Sequence, residues 1–217
     1  MADGKSILVD TSRCTACRGC QVACKQWNGL PGTKTEQLGS YQNPQDLSAD
    51  TWKLVRFAEG RKDDGKPFWY FFSDQCRHCI DPPCMDAMAG YVEGGAVRDE
   101  ATGAILYTDK SSQAPLEEVR SSCPYNIPRQ NAETKVFFKC TLCSDRLANG
   151  MTPACVLSCP TGALMFGERD EILAAAAKRV DELKKANAAA MAVNPNDVRV
   201  IYIVTDDPRK YYEYAAG

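Results

Sequence analysis

Hydrophobic positions in this chain gather into short runs. Residues 6–9 (Ser6, Ile7, Leu8, Val9), 53–57, the aromatic stretch 68–72 and 136–138 (Val136, Phe137, Phe138) are rich in β-branched and aromatic side chains, as strands are. These runs stand ahead of knots of cysteines, so the recurring unit is strand, cysteine loop, short helix. A different period takes over later. Across 168–190, Ile172, Leu173, Ala176, Val180 and Leu183 recur at helical spacing with charges opposite, which predicts an amphipathic helix. Its apolar stripe suits packing on its own protein, with docking of a partner as the alternative use. Residues 198–204 then predict a buried strand, and Tyr211, Tyr212 and Tyr214 make a tail aromatic enough to be anchored. Residues 29–50, rich in Gly, Pro, Asn and Gln, predict a covering loop.

At 217 residues and 44% hydrophobic, the chain is long enough for one large domain or two small ones with real cores. Its 26 basic and 28 acidic residues leave a formal charge of −2 with no basic block, so no nucleic-acid partner is expected. No stretch approaches the roughly 18 to 20 uninterrupted apolar residues of a membrane span. The opening residues Met1, Ala2, Asp3, Gly4, Lys5 and Ser6 lack an apolar signal core and a twin arginine, so no export address is expected on this chain.

Twelve cysteines suit a disulfide scaffold in a short secreted chain, but here they are bunched rather than spread to staple distant loops. Cys14, Cys17, Cys20 and Cys24 spell C-x2-C-x2-C-x3-C, the bacterial ferredoxin run, in which three cysteines grip one iron–sulfur cubane and the fourth reaches a neighbouring one. Cys140, Cys143, Cys155 and Cys159, followed by Pro160, repeat that run with one loop enlarged. By the same exchange, Cys14, Cys17, Cys20 and Cys159 should hold one [4Fe–4S] cluster, and Cys24, Cys140, Cys143 and Cys155 a second. Cys76, Cys79 and Cys84, with the distant Cys123, complete a third set. A ferredoxin run would place a further cysteine where Met88 stands, and two more where Leu116 and Val119 stand, so a fourth site is expected to be erased and filled by packing. Zinc ribbons also use C-x2-C pairs, but a zinc site takes two such pairs and has no use for three cysteines at consecutive two-residue gaps.

The expected fold is therefore α+β, with two ferredoxin-like modules. Residues 1–50 with 130–167 form the first, holding two clusters; residues 51–129 form a degenerate second, inserted into it and holding one; residues 168–217 add a C-terminal helix and strand extension.

The single histidine, His78, excludes a Rieske centre and a two-histidine zinc finger, and no C-x-x-C-H offers a haem site. His78 could tune the third cluster or relay a proton; a solvated or hydrogen-bonded side chain is the plainer reading. Residues 60–66 mimic a phosphate-binding loop, yet Pro67 stands where a magnesium-binding hydroxyl belongs and strand-like residues follow, so a hairpin turn is predicted. No nucleotide fingerprint, carboxylate pair or nucleophile triad is present, so no catalytic residue is assigned. Arg13, Arg18, Lys25, Arg77 and Lys139 lie next to cysteines, and Lys25 and Lys139 are the first candidates for tuning the second cluster.

These motifs, with Cys123-Pro124-Tyr125, Asp145-Arg146, Pro153-Ala154-Cys155 and Pro160-Thr161-Gly162-Ala163, resemble the iron–sulfur β subunits that accompany molybdopterin oxidoreductases. The resemblance covers nearly the whole chain. Most of that family has sixteen ligands and four clusters; the three-cluster pattern is similar to the soluble two-subunit formate dehydrogenases of sulfate-reducing bacteria. It implies a large catalytic subunit carrying molybdenum or tungsten on pterin, and a β subunit that passes electrons outward to an acceptor such as a multihaem cytochrome c. It also implies periplasmic location by co-export on the large subunit's twin-arginine signal, the alternative being cytoplasmic. A β subunit of a sulfur-compound reductase and a stand-alone polyferredoxin are the competing readings.

Overall fold

The computed structural model describes residues 4–62 and 64–217. Met1, Ala2 and Asp3, part of the opening read for an export signal, and Asp63 of the turn lie outside the described residues. The chain begins with β1 (Lys5–Asp10), enters the first cysteine loop and leaves it in α1 (Gly19–Trp27). Strands β2 (Leu54–Arg61) and β3 (Pro67–Asp74) form an antiparallel hairpin pairing Leu54 with Asp74 and Arg61 with Pro67. The expected turn closes it through Lys62 N donating to Lys66 O at 2.8 Å.

Next come α2 (Pro83–Ala89), the short pair β4 (Ala96–Arg98) and β5 (Ile105–Tyr107), α3 (Leu116–Ser121), and a second short pair, β6 (Arg129–Gln130) and β7 (Phe137–Phe138). After α4 (Ser144–Ala148) and α5 (Ala154–Leu157) the chain finishes through β8 (Leu164–Glu168), α6 (Arg169–Lys184), β9 (Met191–Val193) and β10 (Val200–Val204).

The main sheet has the order β8-β1-β10-β9. Strand β10, from the C-terminal segment, lies at the centre of the sheet, parallel to β1, with Ile7 opposite Val200 and Val9 opposite Tyr202. All five of its residues are buried, because such a strand has both faces covered. The period of two sorts the side chains. Ile7, Val9, Val200, Tyr202 and Val204 enter one core with Cys20, Phe72 and Cys155; Leu8, Ile201 and Ile203 enter another with Ile172, Ala176 and Val180 of α6. The stripe on α6 thus packs on its own sheet, where each buried Ile or Val contributes about 1.5–3 kcal/mol.

The α6 helix ends at Lys184, short of the expected 190, because Asn187 turns its side chain on the backbone. Its Oδ1 accepts from Ala189 N at 3.0 Å and its Nδ2 donates to Thr205 O at 2.7 Å. The aromatic tail is anchored as expected: Tyr211 is buried and stacks on Tyr70 with ring centres 4.3 Å apart.

Candidate metal centres

Three C-x2-C loops share one local conformation. In each, the second residue between the cysteines is left-handed: Ala16 at φ 54°, His78 at φ 48° and Leu142 at φ 57°. Non-glycine residues rarely adopt this region, at a cost of about 1–3 kcal/mol each. Here the strain turns an amide onto the preceding sulfur. His78 N donates to Cys76 Sγ at 3.3 Å, Leu142 N donates to Cys140 Sγ at 3.4 Å, and the Ala16 amide faces Cys14. The two Cys-Pro segments match in the same way, with Asn126 at φ 52° and Gly162 at φ 64°, each three residues past its cysteine. Burial raises the Cys159 thiol, but the amides of Leu164, Ala163 and Thr161 with the Thr161 hydroxyl outweigh it and hold the thiol below its ordinary value.

The fold brings many of these cysteines near one another. Cys76, Cys79, Cys84 and Cys123 line a single cavity, closed by Arg77, Ile105, Tyr107, Ile127 and Lys139 among others. Cys14 lies within electrostatic reach of Cys20 and Cys159. Cys24 lies within reach of Cys155 and Cys143, and Cys140 within reach of Cys24, Cys143 and Cys155. Cys17 is exposed between Cys14 and Cys20. The groups also adjoin one another: Cys20 faces Cys24 and Cys155, and Cys140 faces Cys76.

Burial, followed by crowding among the thiols, pushes Cys24 and Cys123 up to about 12. Cys155 is raised to about 11 by burial, with Lys53 opposing. Such thiols are neutral in the metal-free chain, so iron must displace their protons, which its own positive charge does. Among the described residues no three His, Cys, Asp or Glu side chains are gathered to hold a single ion. Zinc would draw four sulfurs to about 3.8 Å from one another. Four cysteines line one cavity, the ligand number that a [4Fe–4S] cluster takes.

The polar surroundings fit as well. Arg18 Nε, Gln75 Nε2, Arg77 Nε and Nη2 and His78 Nε2 are buried without protein partners and sit in or beside the cysteine groups, and the buried Tyr107 hydroxyl faces Cys84. An unpaired buried donor costs about 1–3 kcal/mol, and the sulfides and thiolates of a cluster are acceptors.

Met88, Leu116 and Val119 meet as expected, in an apolar cluster with Ala96, Ala114 and Phe137. Met88 and Val119 are fully buried, and a Cβ on Gly95 would come within 2.8 Å of Met88 Cγ, so the packing is tight. Met88 therefore serves as core.

Other candidates move. His78 is fully buried rather than solvated, its Nδ1 accepting from Ile105 N at 3.0 Å, and burial pushes it well below its ordinary value. Lys139 is buried and lines the cavity of the middle cysteines rather than serving the second set alone. Lys25 is only half-buried and binds the carbonyls of Pro31 and Asp50. Lys53, which sequence reasoning passed over as a strand residue, is fully buried among the cysteine groups. A lysine at the head of a β-run, beside Leu54 and Val55, was the available signal.

Comparison with known proteins agrees with this geometry. A family profile described as a 4Fe-4S dicluster domain matches residues 67–169, taking in the middle and last cysteine groups. The chain is 50% identical over 214 residues to the formate dehydrogenase 2 subunit beta (cytochrome c-553) of Nitratidesulfovibrio vulgaris, covering 97% of this chain and 98% of that one. Identity to the formate dehydrogenase subunit beta of Megalodesulfovibrio gigas is also 50% over 214 residues, covering 98% and 99%. The iron-sulfur subunit of the nitrate-inducible formate dehydrogenase of Escherichia coli is 39% identical over 211 residues, covering 94% and 70%. Fold and cysteine loops define an iron–sulfur electron-transfer protein carrying [4Fe–4S] clusters. Within that class, the chain belongs to the family of formate dehydrogenase β, or iron–sulfur, subunits.

Proposed function

We propose that this chain carries electrons from a molybdenum- or tungsten-pterin catalytic subunit that oxidises formate, through three [4Fe–4S] clusters, to an external acceptor. Cys14, Cys17, Cys20 and Cys159 hold the first cluster, Cys24, Cys140, Cys143 and Cys155 the second, and Cys76, Cys79, Cys84 and Cys123 the third. One observation carries the count: the cysteines fall into three groups of which the first adjoins the second and the second the third. The same grouping supports the inserted arrangement, with 51–129 set into a module made of 1–50 and 130–167.

When bound, each cluster takes up and returns one electron; the chain's own residues bury most of the ligands and aim amides at the cysteine sulfurs. A cytochrome c is the acceptor, a reading supported by the cytochrome c-553 in the name of the Nitratidesulfovibrio relative. Location in the periplasm, by co-export with the catalytic subunit, completes the proposal.

Iron and sulfide analysis of the purified complex tests the centre of it, at an expected value of about twelve of each per chain. Zinc without sulfide would overturn the cluster reading. A complex free of molybdenum, tungsten and pterin, or one that reduces polysulfide or thiosulfate and leaves formate untouched, would overturn the partner.

A further inference from the structure

Lys53 carries a charge that the ligand sets do not use. It immediately precedes β2 and is among the largest fully buried side chains of the protein. Its Nζ donates to Gln75 Oε1, a neutral amide. The nearest carboxylate across the ladder, Asp74 opposite Leu54, is already committed to Arg56 at 2.8 Å and Arg77 at 3.1 Å. An ammonium sealed from water with one neutral acceptor is costly unless anions surround it.

The anions within reach are sulfur. Lys53 lies within electrostatic reach of Cys14 and Cys20 of the first set and of Cys24, Cys140, Cys143 and Cys155 of the second. The hairpin fixes this position. Val55 pairs with Ser73, whose Oγ lies 3.3 Å from Cys20 Sγ, while Gln75 leads directly into Cys76. The foot of the β2–β3 hairpin is thereby wedged between the first and last cysteine groups, with Lys53 at its tip.

We propose that Lys53 is the shared counter-cation of the two clusters with exchanged ligands, a positioning residue that holds both at a higher reduction potential than their buried surroundings alone would give. The inference rests on the ligand assignment above. An electron entering a four-cysteine cluster takes its net charge from about −2 to about −3, and a fixed positive charge in a poorly screened interior favours the more negative state. Lys53 neither receives the electron nor moves a proton; it acts through its field. The third cluster has its own cation in Lys139, so the effect should be confined to two of the three.

Redox titration of the purified complex, followed by EPR, tests this with Lys53→Met, Lys53→Arg and Gln75→Glu. In Lys53→Met the ratio of reduced to oxidised cluster at a fixed potential should fall at least tenfold for two clusters, 59 mV for a one-electron couple, with the third left near its original midpoint. Lys53→Arg, which keeps the charge, should retain the wild-type midpoints. Gln75→Glu, which neutralises the cation in place, should lower the same two midpoints and serves where Lys53→Met does not accumulate. Unchanged midpoints in either charge-removing variant at full iron content, or an equal shift of all three clusters, would overturn the proposal. A wild-type complex with other than three [4Fe–4S] centres would instead overturn the ligand assignment.

Discussion

Two pairs of short helices flank the cysteine loops, and they use the same positions differently. In one, α1 packs against α5; in the other, α2 packs against α3. The position four residues past the last cysteine of the loop is Cys24 on α1 and Met88 on α2. The position four residues before the Cys-Pro pair is Cys155 near the start of α5 and Val119 on α3. Cys24 and Cys155 face one another as thiols that burial makes hard to ionise, whereas Met88 and Val119 meet in a sealed apolar cluster with Phe137. One frame thus supports two solutions to the same interior space, metal or side chains. At the second, Met, Val and Phe fill the volume and need no partner.

The first way to break this comparison is at the metal-bearing pair. Cys24→Ala and Cys140→Ala should each remove the same cluster, lowering iron from about twelve to about eight per chain. Cys159→Ala should extinguish a different EPR signal, as ligand exchange requires. At the packed pair, Phe137→Ala should cost about 3–5 kcal/mol by the cavity it leaves, read from denaturant unfolding of the complex. Met88→Leu, nearly equal in volume, should cost less than about 1.5 kcal/mol, and Met88→Cys should bind no additional iron, since Leu116 and Val119 still stand where further ligands are needed.

The smallest effect lies at the seam between the regions, where Asp46 of the covering loop pairs with Arg56 of β2 at 2.7 Å and Arg129 of β6 at 2.6 Å. Burial raises the Asp46 carboxyl, but the two arginines outweigh it and hold it below the ordinary value. A depressed carboxylate stabilises the fold above its unfolded value of about 3.9, and that contribution is lost as the pH falls through the folded value. Because the side chain is 40% exposed, Asp46→Asn should cost less than about 1 kcal/mol. The gap in urea midpoint from wild type should be complete at pH 6 and narrow below about pH 4.

What could be read from residue types and spacing is the part governed by local rules. C-x2-C gaps dictate loop geometry, so the conformation of the cysteine loops and the packing role of Met88 were legible in residue spacing. The run at β10 announced a buried strand, but its partner did not: parallel pairing with β1 joins Ile7 to Val200, and no nearby residue encodes that choice. Lys53 and Arg77 escaped for a related reason. Charged side chains are read as exposed by default, and only the tertiary neighbours, sulfur for Lys53 and the rings of Phe72, Tyr125 and Tyr202 for Arg77, make their burial tolerable. Asn187 looked like one more residue of a helix until its side chain was seen to hold Thr205.

The central place of β10 also sets an order in time. The ribosome makes β1 well before β10, and the sheet cannot close until both are available. All twelve cysteines precede β10 in the chain. A nascent subunit therefore presents every thiol while its central sheet is still open.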